Sequence, residues 1–236
     1  MKTKILPFLL LVLSLSAISF SPRPAADLSQ EFSFTNFNEL SFSSAFNVTI
    51  TRGDRYSMVI SGPEDLFEGL EVTQDGKLVE VGYEKKRKSF GTSTLKIRIT
   101  MPDLEVLSVS GSVKAEINEF KGESLQMDLS GASNCELNSD FKNVKIDVSG
   151  AGNLKLVGNG DLMVLNLSGA SNFDASSFRC KKVNLNMSGA GAASVFASEQ
   201  LDVEVSGVGS VKYAGNPVVL NKRLSGMASI KPIDED

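Results

Sequence analysis

Apolar and polar residues alternate along most of this chain with a period of two, which predicts β-strands rather than helices. In the second half the alternation recurs in units that each contain one Ser-Gly dipeptide. The seven dipeptides end at Gly111, Gly131, Gly150, Gly169, Gly189, Gly207 and Gly226. Successive glycines are 20, 19, 19, 20, 18 and 19 residues apart. A spacing held this closely indicates a structural unit that stacks on copies of itself.

Aligned on the dipeptide, the units form columns of similar residues. The residue before each Ser is apolar in every unit, from Val109 to Leu224. The residue two places earlier is apolar as well, until Lys222 in the last unit. Between these two apolar columns lies a polar one, which contains Asp128, Asp147, Asn166, Asn186 and Glu204. This pattern predicts strands with apolar side chains inward and polar side chains outward.

Small residues follow each glycine, as in Ala-Ser-Asn after Gly131 and Ala-Gly-Asn after Gly150. Gly and Asn suit corners where the backbone takes a positive φ. We therefore predict a structural corner at each of Gly131, Gly150, Gly169, Gly189, Gly207 and Gly226.

The length of the unit restricts the fold. Nineteen residues at roughly 3.3 Å each span roughly 60 Å, which suits a coil of two or three short strands and leaves no room for a helix. Like strands of successive coils would then stack in parallel, roughly 4.8 Å apart. The sequence therefore predicts an all-β fold, a parallel β-solenoid (β-helix) of about seven coils of about 19 residues over residues 104–232. Lys222, Arg223 and Pro232, with the acidic tail 233–236, predict a blunted sheet edge after the last coil.

Residues 31–103 predict a strand-rich amino-terminal part of the solenoid that lacks the Ser-Gly spacing. Alternation recurs in several short segments there, and Asp75-Gly76 is a favoured turn for a β-hairpin. The dense basic run at 84–88 predicts an exposed loop or hairpin tip, and the alternative is a contact with phosphate or an anionic glycan.

Residues 1–20 have the composition of a signal peptide, with two lysines before an apolar stretch and small residues after it. Cleavage after Ala17, Ser19 or Ala26 would fit equally well. Residues 21–30 contain two prolines and predict a flexible leader. No cysteine lies near the end of the signal peptide, so we do not expect a lipoprotein. We expect an exported protein (periplasmic, surface-bound or released) without a transmembrane anchor.

The composition restricts the chemistry. The chain has no His, which is the commonest general base and a common metal ligand, so we predict no enzyme, no metal and no cofactor. A net charge of −4 gives no electrostatic support to nucleic-acid binding. Cys135 falls in an inward column, and Cys180 lies in another phase more than two coils away, so we predict two free thiols.

The outward polar column (Asp128, Asp147, Asn166, Asn186 and Glu204) is the candidate binding ladder. Carboxylates stacked about 5 Å apart could share a proton or bind a divalent cation. The alternative is a solvated sheet face with stacked asparagines. A solenoid enzyme acting on carbohydrate would need clustered carboxylates with Arg or Lys in a cleft, and the coils here are uniform, without long insertions.

The repeated Ser-Gly-Ala units at Gly131, Gly150, Gly169 and Gly189, and the segment 211–217, resemble the GIN-domain family of exported proteins from Bacteroidetes-type bacteria. That family is described as a "putative auto-transporter adhesin head domain". The resemblance covers roughly residues 35–232 and implies no catalytic residues. Only a short acidic tail follows the repeats, so we do not expect a translocator barrel in this chain.

Together these observations predict a non-enzymatic, exported cell-envelope module that binds a glycan or an envelope or surface protein, in the manner of an adhesin. A self-associating structural envelope protein, whose coils stack end to end as a homo-oligomer, is the alternative. A carbohydrate-active β-helix enzyme is a third hypothesis. No nucleic-acid partner is expected.

Overall fold

The computed structural model describes residues 27–83 and 93–233, and nearly all of them lie in strands. The predicted signal peptide, the basic run at 84–88 and residues 234–236 lie outside this part of the chain. The described residues form fourteen strands: β1 Asp27–Phe32, β2 Glu39–Phe42, β3 Phe46–Arg52, β4 Ser57–Pro63, β5 Leu70–Asp75, β6 Leu78–Tyr83, β7 Leu95–Met101, β8 Val106–Val109, β9 Val113–Leu129, β10 Ala132–Val148, β11 Ala151–Leu167, β12 Ala170–Met187, β13 Ala190–Ala214 and β14 Val219–Pro232. One 3₁₀ helix, Glu64–Phe67, interrupts them. Within the described ranges, helical structure is too short to cross a membrane.

The long strands β9 to β14 stack in chain order, and every pair of neighbours is parallel. The molecule is therefore a parallel β-solenoid of about seven turns, as the repeat spacing predicts. Pairing between β10 and β11 is interrupted from 139 to 142, which divides the coil into three sides. In β10 the first side is 132–138, the second side 139–142 and the third side 143–148, and the same names apply to the equivalent residues of other coils. The Ser-Gly corner joins the third side of one coil to the first side of the next.

A continuous core fills the space between the sides. In β10 it receives Cys135 and Leu137 from the first side, Phe141 from the second, and Ile146 from the third, each at most 3 % exposed. Fully burying one such side chain stabilises the fold by about 1.5–3 kcal/mol, and stacking repeats this contribution in every coil. The prediction that Cys135 points inward is confirmed, and both cysteines are free and buried.

The amino-terminal strands add further coils in an order that differs from the chain order. On the third side, β2 lies between β6 and β8, and on the first side β3 lies between β7 and β9. Antiparallel strands then close this end: β4 and β1 on the first side, and β5 on the third. The predicted hairpin is β5 and β6, and its turn contains Gly76 with φ +58°.

Strand β1 begins at Asp27, so residues 27–30 are strand, and the predicted flexible leader is wrong for these four residues. All six residues of β1 pair with β4, which satisfies the backbone hydrogen-bonding groups on the side that faces β4. Five of the six side chains are exposed, so the segment has no apolar alternation by which the strand could be predicted.

The corner glycines are required by close stacking of backbones. The amide of Ala151 donates to the carbonyl oxygen of Gly131 at 3.0 Å, and the same bond recurs at later corners. A Cβ on Gly150 would lie closer than 3.0 Å to the backbone of Gly131. Positive φ, the reason expected from sequence, applies at Gly226 (φ +93°), whereas Gly150 is not among the positive-φ glycines.

Candidate functional site

The structure aligns the predicted binding ladder in a single column on the third side. Its members, Asp128, Asp147, Asn166, Asn186 and Glu204, are register partners in successive coils. In β10 the two neighbours of Asp147 along the strand, Ile146 and Val148, are buried, while Asp147 itself is partly exposed. The column therefore projects away from the core.

Hydrogen bonds within this ladder occupy much of its polar capacity. The side-chain amide of Asn166 donates to Asp147 Oδ1 at 2.6 Å, and that of Asn186 donates to Asn166 Oδ1 at 3.0 Å. Lys145 Nζ lies 3.0 Å from Asp147 Oδ2. The bond from Asn166, with help from Lys145, holds the pKa of Asp147 below its usual value despite partial desolvation. A carboxyl group with a lowered pKa is ionised near neutral pH, so Asp147 does not hold a shared proton there.

The ladder borders a small groove of about 290 Å³, shared with serines of the Ser-Gly corners. Gln126 donates to Asp128 Oδ2 at 3.0 Å, so this carboxylate also has a partner on its own strand. Among the described residues, no group of three or more Asp, Glu or Cys side chains is arranged to hold a metal ion.

A second polar column runs along the first side, just after the corners. The side-chain amide of Asn153 donates to Asn134 Oδ1 at 3.0 Å, and that of Asn172 donates to Asn153 Oδ1 at 3.2 Å. These are the asparagines of the small-residue corner pattern. They join successive coils, and the side-chain oxygens of Asn134 and Asn153 accept hydrogen bonds within the column.

A groove of about 890 Å³ lies on the second side, where the sequence predicts no site. Its floor includes Gly122, Phe141, Gly160 and the half-buried Phe196. A Cβ on Gly122 would lie 2.6 Å from the ring of Phe141, and one on Gly160 would lie 2.7 Å from the ring of Phe178. Glycine therefore lets the aromatic core come up to the base of the groove.

One wall of this groove is a column of alternating charge: Glu123, Lys142, Asp161 and Lys181. Lys142 Nζ lies 2.6 Å from Glu123 Oε1, and Lys181 Nζ lies 2.7 Å from Asp161 Oδ1. The hydrogen bond and charge of Lys181 lower the pKa of Asp161, and those of Asp161 raise the pKa of Lys181. All four side chains are about half exposed or more, so they can also contact a ligand.

The parallel column contains Lys121, Asp140, Asn159 and Arg179. Asp140 Oδ1 accepts hydrogen bonds from both the backbone amide and the side-chain amide of Asn159, each at 2.9 Å. The guanidinium of Arg179 lies 5.0 Å from the centre of the Phe196 ring, a cation–π distance. The groove thus combines donors, acceptors and a partly exposed aromatic ring.

The sequence contained a signal for this groove. Glu123, Lys142, Asp161 and Lys181 are 19, 19 and 20 residues apart, which are the spacings of the corners from Gly131 to Gly189. A column whose charge alternates repeats no residue type, unlike the Asp/Asn column on the third side. The depth of the groove follows from where the chain bends, which the alternation does not indicate.

Neither thiol is poised to act as a nucleophile. Burial raises the pKa of Cys135 to about 12 and that of Cys180 to about 11. Cys180 lies at the edge of the second-side groove, but it is only 1 % exposed and its Sγ is 3.2 Å from the carbonyl oxygen of Lys182. Both groups remain thiols near neutral pH, and a thiol is a weak nucleophile.

Comparison with known families assigns the class of this solenoid. The family described as "putative auto-transporter adhesin, head GIN domain" matches residues 36–217. The chain belongs to this GIN-domain family, as the Ser-Gly-Ala units suggested. A comparison with curated proteins gives no match.

Three solved structures have the same fold. A "putative adhesin" from Bacteroides fragilis is 23 % identical, with a TM-score of 0.83 over 89 % of this chain and 99 % of that one. A "putative lipid binding protein" from Parabacteroides distasonis is 20 % identical, with a TM-score of 0.63 over 88 % and 97 %. A "putative adhesin" from Parabacteroides merdae is 15 % identical, with a TM-score of 0.62 over 88 % and 96 %. At these identities the likeness establishes the fold.

Proposed function

We propose that the protein is a non-enzymatic, exported binding module of the cell envelope, adhesin-like, and that it takes an extended glycan in the groove on its second side. The observation that carries this proposal is the combination in one groove of alternating charges and the half-buried ring of Phe196. Membership of an adhesin-head family supports the binding role.

A glycan matches the chemistry of this groove. Sugar hydroxyl groups both donate and accept hydrogen bonds, and the walls offer Lys and Arg donors beside Asp and Glu acceptors. Sugar rings also have apolar faces, which pack on aromatic side chains such as Phe196. The lining extends from Lys121 in β9 to Phe196 in β13. Four steps between coils at roughly 4.8 Å give a length near 19 Å, which suits several linked sugars.

The same geometry argues against glycoside hydrolysis. A general acid of this type needs a carboxyl group with a raised pKa, and the pKa of Asp161 is lowered by Lys181. Asp140 Oδ1 already accepts two hydrogen bonds from Asn159. With no His in the chain and both thiols buried, the groove is better suited to binding than to catalysis.

Export is supported by the composition of residues 1–20, in which lysines precede a short apolar stretch. The adhesin description of the family is consistent with that route. Exposure outside the cytoplasm would present the groove to surface glycans.

The Asp/Asn ladder from Asp128 to Glu204 is the second candidate surface for the same function. Its groove is smaller, and Asp147 and Asn166 already bond to each other. A cation bridging Asp128 and a sugar hydroxyl would make this surface the calcium-dependent alternative.

A glycan array tests the proposal. The purified protein is applied to the array once with calcium and once with a chelator. We expect signal on extended glycans that is unchanged by the chelator, because the positive charges of the second-side groove are Lys and Arg side chains and not metal ions. Binding that requires calcium would favour the Asp/Asn ladder as the site. Absence of binding above background on every glycan would exclude glycans as the ligand.

A further inference from the structure

We propose that the carboxy-terminal coil docks on the amino-terminal end of a second copy, so that solenoids join head to tail. This contact is separate from the groove and does not depend on glycan binding. It rests on the edges, the exposed apolar residues and the charges at the two ends of the solenoid.

On its third and first sides, the last coil keeps the backbone of an interior coil. All fourteen residues of β14 are in parallel register with β13, and its Ser225-Gly226 corner stacks on Ser206-Gly207. Among the described residues, no strand pairs with the opposite edge of β14. That edge therefore presents a row of backbone donors and acceptors in a conformation that already fits another strand.

Exposed apolar residues are concentrated at the same end. Val219, Leu224 and Met227 are 44 %, 46 % and 77 % exposed, and Val208 and Val218 beside them are 52 % and 89 % exposed. Their register partners in the preceding coil include Val205, which is 1 % exposed. A further layer of protein would remove this apolar surface from water.

The amino-terminal end offers two edges of matching length. On the first side the outermost strand is β1, and on the third side it is β5, each six residues long. Strand β14 presents 227–232 on its first side and 219–224 on its third, also six residues each. Continuing the solenoid would pair β1 with 227–232 in parallel and β5 with 219–224 antiparallel. Leu28, which is 40 % exposed in β1, would then lie at the joint.

The edge strands at the two ends carry opposite charge. The acidic residues of the amino-terminal edge strands are Asp27, Glu31, Glu71 and Asp75, all exposed. The basic residues of the last coil are Lys222, Arg223 and Lys231, also exposed. Arg223 has a contact of only 3.9 Å with Glu204 and its side chain is 84 % exposed, so it is available to a partner.

The same charges select the direction of joining. Two carboxy-terminal edges would bring Lys222 and Arg223 against their own copies, and two amino-terminal edges would oppose carboxylates. Like charges placed together disfavour both pairings. Lys222 and Arg223 therefore oppose pairing with another carboxy-terminal end, while they attract the amino-terminal one. A contact between different ends leaves a free end on each copy and extends without closing.

Analytical ultracentrifugation over a concentration series tests this inference on the purified protein, after removal of the signal peptide. We expect the mean mass to rise past that of a dimer without reaching a plateau, and to fall in high salt. The variant Lys222→Glu/Arg223→Glu should associate only at concentrations about tenfold higher or more. The matched variant Lys155→Glu/Lys182→Glu changes two exposed lysines away from the ends and should behave as the parent protein. Circular dichroism verifies that each variant is folded.

A rescue experiment separates this contact from unspecific association. Asp27→Lys/Glu71→Lys should weaken association in the same way, and combining both pairs of changes in one chain should restore it, because the charges at the joint are then exchanged. A protein that stays monomeric throughout, or stops at a closed dimer, would overturn the inference. Growth that neither end variant alters would also overturn it.

Discussion

At the scale of single residues, the Ser-Gly corner is explained by the distance between backbones. Each corner carbonyl accepts an amide from the next coil, as Gly131 does from Ala151. A side chain on the stacked glycine would occupy the space of that carbonyl. The column of glycines is therefore a packing requirement of the stack, comparable to a close helix crossing.

Gly150→Ala tests this explanation. The added methyl group would meet the backbone of Gly131, which cannot rotate away, so we expect a loss of about 3 kcal/mol or more in the free energy of unfolding. Ser149→Ala changes the exposed neighbour in the same corner and should cost no more than about 0.5 kcal/mol. Urea denaturation measures both. Equal effects for the two variants would contradict a steric role for the glycine.

At the scale of elements, coils are joined by polar ladders as well as by the backbone. On the third side the amides of Asn166 and Asn186 connect three coils through Asp147 and Asn166 oxygens. A net contribution of about 1 kcal/mol for each bond is typical. These ladders therefore set the register and add modest stability, while the core supplies most of it.

Substitution of Asp147 measures this contribution. Asp147→Ala removes the acceptor of Asn166 and should lower the free energy of unfolding by about 1–2 kcal/mol without loss of the fold. Asp147→Asn keeps an amide ladder and should recover most of that loss at neutral pH. Because the pKa of Asp147 is lowered in the fold, its stabilisation is present above the ordinary value of 3.8 and is lost as the pH falls below it. The asparagine variant should lack this acid dependence.

Chemical denaturation at neutral and at acidic pH supplies these comparisons, with Lys145→Ala as the control. That change removes a half-exposed ion pair and should cost less than about 1 kcal/mol. Unfolding of Asp147→Ala at neutral pH would show that the column faces the core, which would contradict the assigned sides.

The repeat could be derived from the sequence because stacking forces like residues into columns. The column of residues before each Ser, from Val109 to Leu224, marks inward positions. The polar column from Asp128 to Glu204 marks outward positions, and neither assignment requires knowledge of where the chain bends. The parallel solenoid and the inward position of Cys135 both follow from that alignment.

The rest depended on information that alternation does not carry. Strand β1 is held by backbone pairing to β4 and has no fully buried side chain, so no alternation of apolar and polar residues marks residues 27–30. The second-side groove arises where the coil turns over Phe141, and its charged walls alternate in sign from Glu123 to Lys181. Residues in this column are not alike from coil to coil, because each charge is paired with the opposite charge in the next coil. The column therefore does not stand out when the repeats are aligned.

At the scale of the whole molecule, the solenoid has two different ends and three different sides. Antiparallel strands and carboxylates close the amino-terminal end, whereas β14 leaves a basic, partly apolar edge. Two sides carry ladders whose polar groups bond to each other. The second side carries the large groove, which is lined by exposed ion pairs and by the ring of Phe196. The proposed glycan binding in the second-side groove and the proposed head-to-tail association use different surfaces, so the two can occur together.

Titration calorimetry with the strongest glycan from the array measures most directly whether the second-side groove is the binding site. Arg179→Ala/Lys181→Ala removes two groove cations that are exposed, so the fold should be retained, and we expect the affinity to fall by about tenfold or more. Lys145→Ala/Lys155→Ala removes the same charge from the other two sides and should leave the affinity within about twofold of the parent. Unchanged affinity in the groove variant, or a loss confined to Lys145→Ala/Lys155→Ala, would contradict the assignment and move the site to a ladder face.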